Sequence, residues 1–227
     1  MGALSQARAA ALAGVAFVVL ALVGSFIAGS PPKVNDSAGS IASFFVDHHK
    51  TLLIGVILNA AAAPCFVWLF AGLAAAIRRA GQDTLAALTF GAGVGAVAIA
   101  TVGDAVYATL TQLAWIGESQ FVKSGYELSG FLVQKAFWFA AFAALGASLA
   151  ARRARALPRW YEWATIAAGA LFALGGISVK QTGFMGVNGG MALVAFFALL
   201  VWVLITSFLL WREQAAAEAP AAVATPA

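Results

Sequence analysis

Charge is what this sequence has least of. Of its 227 residues only 10% are Asp, Glu, Lys or Arg, against about 25% in a soluble domain. So few charges cannot clothe a water-facing surface of this size, which excludes an ordinary soluble globule. Cysteine is nearly absent: Cys65 stands alone, so no internal disulfide forms. Histidine is scarce as well. His48 and His49 are the only two, and on a regular helix adjacent side chains point about 100° apart. They therefore do not chelate one ion as an i, i+4 pair does. A zinc or haem centre needs more donors than the chain assembles, so no metal and no cofactor is expected. No nucleophile–base set and no phosphate loop is present. Gly91, Gly93 and Gly95 lack a preceding strand and sit in apolar sequence, so they read as points of close helix contact.

What the chain has in abundance is long apolar runs. It is 63% hydrophobic, with a mean hydropathy of +0.92, and lipid can take the place of the missing polar surface. The runs predict an all-α polytopic membrane bundle of about six transmembrane helices in a single domain, residues 1–211. The helices are expected at about 9–29, 44–78, 84–115, 126–151, 159–178 and 190–211. The first run is longer than the apolar stretch of a signal peptide, about 7–15 residues, and reads as a retained helix. The second begins near Ile41 and continues unbroken through Asp47, His48, His49 and Lys50. It contains Pro64, which membrane helices tolerate as a bend, and ends at Arg78–Arg79 with Gly81 as stop signal. Asp83 or Thr84 caps the third. Residues 212–227 read as a disordered cytoplasmic tail.

Lys/Arg bias gives an orientation. With the N-terminus inside, Arg8, Arg78, Arg79, Arg152, Arg153, Arg155, Arg159 and Arg212 fall on the inner side. Lys33, Lys50, Lys123 and Lys180 fall outside, and only Lys135 lies within a helix. The topology is N-in/C-in. The positive charge is thereby an orienting signal, and no nucleic-acid partner is implied. Trp160, Trp163 and Trp211 mark the inner boundary.

Charges at lipid depth are the functional lead. Counting about 20 residues of about 1.5 Å from each inner end places Asp104 and Lys135 at similar depth, near the outer interface. Thr101, Asp104 and Tyr107 share one helix face, Gln134 and Lys135 lie on the next helix, and Asn59 reaches the same level. These six form a candidate polar pocket open to the outer face. The structural alternative is that Lys135 snorkels and Asp104 is its counter-ion. A second, weaker outer site is Asp47, His48 and Glu127, which serve only if their helices converge; otherwise this stretch is a solvated helix extension. Glu162 is expected to pair with neighbouring arginines.

Ser40-Ile41-Ala42-Ser43-Phe44-Phe45, the Arg-terminated second helix, Ala156-Leu157-Pro158-Arg159-Trp160, and Thr206-Ser207 with Trp211-Arg212 together resemble the uncharacterised bacterial six-helix membrane proteins grouped as domains of unknown function. The resemblance covers the whole chain, implies a six-helix bundle, and supplies no activity or functional residues. The expected setting is the lipid bilayer of a bacterial plasma membrane, with a membrane-protein partner or homo-oligomer as further associates. Three function classes follow: a small-solute or proton-coupled carrier or binder using the polar pocket; a non-catalytic accessory or assembly subunit; and an envelope-facing enzyme that requires Asp47, His48 and Glu127 to meet.

Overall fold

The computed structural model describes residues 3–154, 158–177, 183–187 and 189–218. Seven helices occur among them: α1 (Ala3–Phe26), α2 (Ala38–Asp47), α3 (His49–Arg79), α4 (Asp83–Trp115), α5 (Ser119–Ala154), α6 (Arg159–Ile177) and α7 (Gly190–Glu218). Five of these, in α1, α3, α4, α5 and α7, are long and apolar enough to cross a membrane. The sixth, α6, is shorter, at 19 residues, and its first turn carries Arg159 and Glu162.

The helices form a closed ring in which α1 packs on α3, α3 on α4, α4 on α5, α5 on α6, α6 on α7, and α7 back on α1. Every neighbouring pair is antiparallel. Ala10 meets Gly72 while Gly24 meets Gly55 along α1 and α3. Gly103 lies against Val133 while Gly146 lies against Thr89 along α4 and α5. Phe26 stacks near Phe197 along α1 and α7. Close approach depends on missing side chains: a Cβ on Gly55 would fall 2.6 Å from the Gly24 carbonyl oxygen. Gly93 receives the Phe70 ring and Gly95 the Phe139 ring, so two of the three α4 glycines serve helix contact.

The outward faces are apolar at helical spacing. Leu12, Val15, Val19 and Leu22 on α1 are exposed, as are Val201, Leu204, Phe208 and Trp211 on α7. A water-soluble bundle reverses this pattern, and continuous apolar surface of this extent marks a lipid-facing exterior. The chain is a membrane-embedded helix bundle.

Antiparallel order sorts the cations by type. The ends carrying Arg8, Arg78, Arg79, Arg152, Arg153, Arg159 and Arg212 gather at one pole, and those carrying Lys33, Lys50 and Lys123 at the other. At the arginine pole Arg8 lies over the Trp211 ring, 5.6 Å from its centroid. Glu162 reaches Arg152 at 3.9 Å, in line with the expected pairing.

Several boundaries differ from those read in the sequence. The second helix breaks at His48, whose φ of −107° and ψ of 15° are not helical. Its ring Nδ1 lies 3.0 Å from the Phe44 carbonyl oxygen, a local side-chain bond that competes with helix continuation. The result is a separate amphipathic helix, α2, started by Ser37, whose Oγ accepts the Ser40 N–H at 3.2 Å. At the start of α4 the N-cap is Gln82, with no side-chain cap bond, and Asp83 instead pairs with Arg78 at 3.6 Å. The fourth expected helix begins at Ser119 rather than about 126, because Val122 is buried and extends the helical face. Gly117, at φ +84°, turns the chain: the Glu118 N–H reaches the Leu113 carbonyl and the Gly117 N–H the Ala114 carbonyl, as in a Schellman ending. Gly81 ends α3 the same way. Finally, α7 continues to Glu218, so the expected tail from 212 begins as helix. This suits its Ala- and Glu-rich composition, and residues 219–227 lie outside the described residues.

Candidate functional site

The buried apolar side chains fall into two large clusters rather than one. The first fills the ring from its middle to the arginine pole and is built on Phe66, Phe70, Phe137, Phe172 and Trp202. Trp202 donates its indole N–H to Thr165 Oγ1 at 3.1 Å, and the Tyr161 and Thr206 hydroxyls meet at 3.0 Å. The second lies at the lysine pole and contains Val34, Ile41, Phe45, Leu52, Leu110, Ala114, Val122, Tyr126 and Val187.

Between them lies a polar layer. Along α3 the order is Leu52, then Asn59, then Ala62 and Phe66. Along α4, from the lysine pole, it is Leu110, then Tyr107, Asp104 and Thr101, then Ala92. Along α5 it is Tyr126, then Ser129, Gln134 and Lys135, then Ala140. The antiparallel register that sets Phe70 against Gly93 also sets Asn59 level with Asp104.

The roof of this layer is α2. Ile41 and Phe45, one turn apart, bury one face of α2 against α4 and α5. The preceding loop is stapled down from α5. Tyr126 donates its hydroxyl to the Pro32 carbonyl at 2.8 Å, and Lys123 donates to the Asp36 carbonyl at 3.0 Å. Phe45, Tyr107 and Tyr126 pack as a triangle, with centroid separations of 5.0, 5.9 and 6.2 Å. The segment before α7 contributes Val187 to the same cluster.

The six expected pocket residues divide within this frame. Asp104 and Tyr107 lie three residues apart on α4, on adjoining positions of one face, and both are half-buried. Asp104 forms no hydrogen bond or ion pair among the described residues. Gln134 is buried at 1% exposure. Its Nε2 donates a long bond of 3.4 Å to the Gly186 carbonyl, and its Oε1 has no partner. Lys135 does not pair with Asp104. Its Nζ donates to the Gly176 carbonyl at 2.8 Å, in the last turn of α6, where a cation is favoured by the helix dipole. Asn59 sits at Asp104's level but places Oδ1 against Gly24 of α1. Thr101 is exposed on the outer surface. Lys180, expected on the outer side, lies outside the described residues.

Asp47, His48 and Glu127 do not gather. Asp47 is exposed, and His48 bonds and stacks on Phe44, 4.5 Å between rings. No group of three or more His, Cys, Asp or Glu side chains comes together among the described residues. What sequence reasoning missed is the roof. Ile41 and Phe45 at i, i+4, with Tyr126 and Val122 on α5, were the signal available. Comparison of the chain with family models, with curated proteins and with solved structures returns no match.

Proposed function

We propose that the chain is a small-solute or proton-coupled carrier or binder of a bacterial plasma membrane, with Asp104 as its working group. In this reading all six ring helices span the bilayer, α6 included, and both ends face the cytoplasm with the arginine pole inside. The observation that carries the proposal is the Asp104 carboxylate itself. It stands within an apolar spanning helix, half-buried, with no donor from the described residues. A charged carboxylate costs about 2.5–3.5 kcal/mol at the centre of a spanning helix on insertion scales, and less toward the interface where Asp104 is read to lie. A proton, water or a bound cation relieves that cost, and such groups line substrate and proton paths. The polar layer is closed toward the arginine pole by the aromatic core and toward the lysine pole by α2. This arrangement suits a carrier that opens one side at a time more than an open channel.

The test is electrical. Purified protein is reconstituted into liposomes on a solid-supported membrane, and currents are recorded on jumps of pH and of small-solute panels. A signal present in the native protein and lost in Asp104→Asn, with equal insertion of both, is the expected result. Equal currents in the two proteins would remove the proposal.

A further inference from the structure

Among the described residues the polar layer holds two acceptors that meet no donor, Asp104 and Gln134 Oε1, beside aromatic surface. Asp104 brings an acceptor-only carboxylate when ionised. Gln134 adds a buried Oε1 with no donor, in a side chain whose amide is already committed to Gly186. Among the described residues the cation of this layer, Lys135, is withdrawn to the Gly176 carbonyl, so it does not neutralise the layer. Toward the lysine pole the layer is bounded by Phe45, Tyr107 and Tyr126, three aromatic rings in mutual contact, of which Tyr107 adjoins Asp104 on α4.

We infer that the ligand of this layer is a small primary alkylammonium ion, its charge on Asp104 and its body against Tyr107. The inference rests on the carrier or binder reading above and narrows its ligand class. Three chemistries compete for a lone carboxylate at depth. A divalent metal ion such as Mg²⁺ demands near-octahedral oxygen coordination, about six ligands, more than this layer supplies around Asp104. A proton satisfies the carboxylate but leaves the Gln134 acceptor unsatisfied and has no use for an aromatic wall. An alkylammonium brings a full charge for Asp104, further N–H donors for acceptors of the layer, and a cationic head that aromatic rings attract. An uncharged alcohol of the same size lacks the charge that Asp104 needs.

The experiment is calorimetric titration of the full-length protein in nanodiscs with n-butylammonium chloride. Sodium chloride at equal ionic strength and n-butanol serve as comparison ligands. Native protein is expected to bind n-butylammonium saturably and to show no binding isotherm with n-butanol. Asp104→Asn loses the isotherm, and Asp104→Glu, which keeps the charge, retains it even should the neutral variant fold poorly. Tyr107→Phe retains binding because the ring persists, whereas Tyr107→Leu weakens it about fivefold, as loss of a cation–π contact of about 1 kcal/mol requires. Absence of n-butylammonium binding, or equal binding by Asp104→Asn, overturns the inference. If n-butylammonium fails but Asp104-dependent currents persist on a pH or sodium jump, the ligand class is wrong and the carrier reading stands. If neither depends on Asp104, both fall.

Discussion

Asp104 and Lys135 show how differently two charges about one helical turn apart in level can be accommodated. Lys135 is long enough to leave the apolar environment and satisfy a helix end, donating to Gly176. Asp104 has a short side chain and stays where its backbone puts it. Their approximate level along the helices was legible in the sequence, because level follows from counting residues along a helix. Their pairing was not, because it depends on azimuth: neighbours at Gly103 are Ser129, Leu132 and Val133, and Lys135 falls on the side of α5 toward α6. Replacing Lys135 by Met removes one charge-assisted bond at the end of α6. It should lower stability by about 1–3 kcal/mol, read as a lower melting temperature in detergent, and leave the Asp104-dependent current intact. Gly55→Val places carbon where the Gly24 carbonyl already sits. A cost of about 1–3 kcal/mol or more is expected from such overpacking, and a melting temperature equal to the native value would show that α1 and α3 separate freely.

Among the elements, α2 departs furthest from the sequence reading. An apolar run preceded by polar residues looks like one long helix, since periodicity alone does not register a single non-helical residue at His48. The break lets α2 turn onto α4 and α5 and close the polar layer. Its attachment is local and therefore testable. Lys123→Met removes the bond to the Asp36 carbonyl, a loss of about 1 kcal/mol. Backbone amides of residues 33–47 should then exchange hydrogen about fivefold faster, with α6 and α7 unchanged; no change would mean that α2 is held by its apolar face alone. At the opposite pole the Arg152–Glu162 pair is long, at 3.9 Å, with the arginine well exposed. Glu162→Gln is expected to change stability by less than about 1 kcal/mol. The Schellman turns at Gly81 and Gly117 were partly legible: Gly81 follows two arginines as a stop signal, whereas Gly117 was absorbed into an apparent loop.

At the scale of the whole molecule, hydrophobic length fixed the number and rough placement of the ring helices, and small residues fixed how closely they meet. Ring closure, with α7 returning to α1, was not readable, because a lipid-facing stripe and a helix-facing stripe have the same composition when lipid is the solvent. Orientation is the next test. In a Cys65→Ala background, Gln82→Cys should react with an impermeant thiol reagent only when the cytoplasmic side is opened, and Gln120→Cys in intact cells freed of their outer barrier; the reverse pattern would invert the proposed topology.

The central claim is that one carboxylate, with no partner among the described residues, sits in a polar layer between two apolar clusters, at membrane depth. Treating the protein in nanodiscs with a hydrophobic carbodiimide and mapping the adducts by mass spectrometry addresses it most directly, since a stable acylurea forms on a carboxyl shielded from water and able to take a proton. The expected result is one dominant adduct, on Asp104. An unmodified Asp104, with adducts instead on the exposed Asp47 or Glu118, would contradict the account.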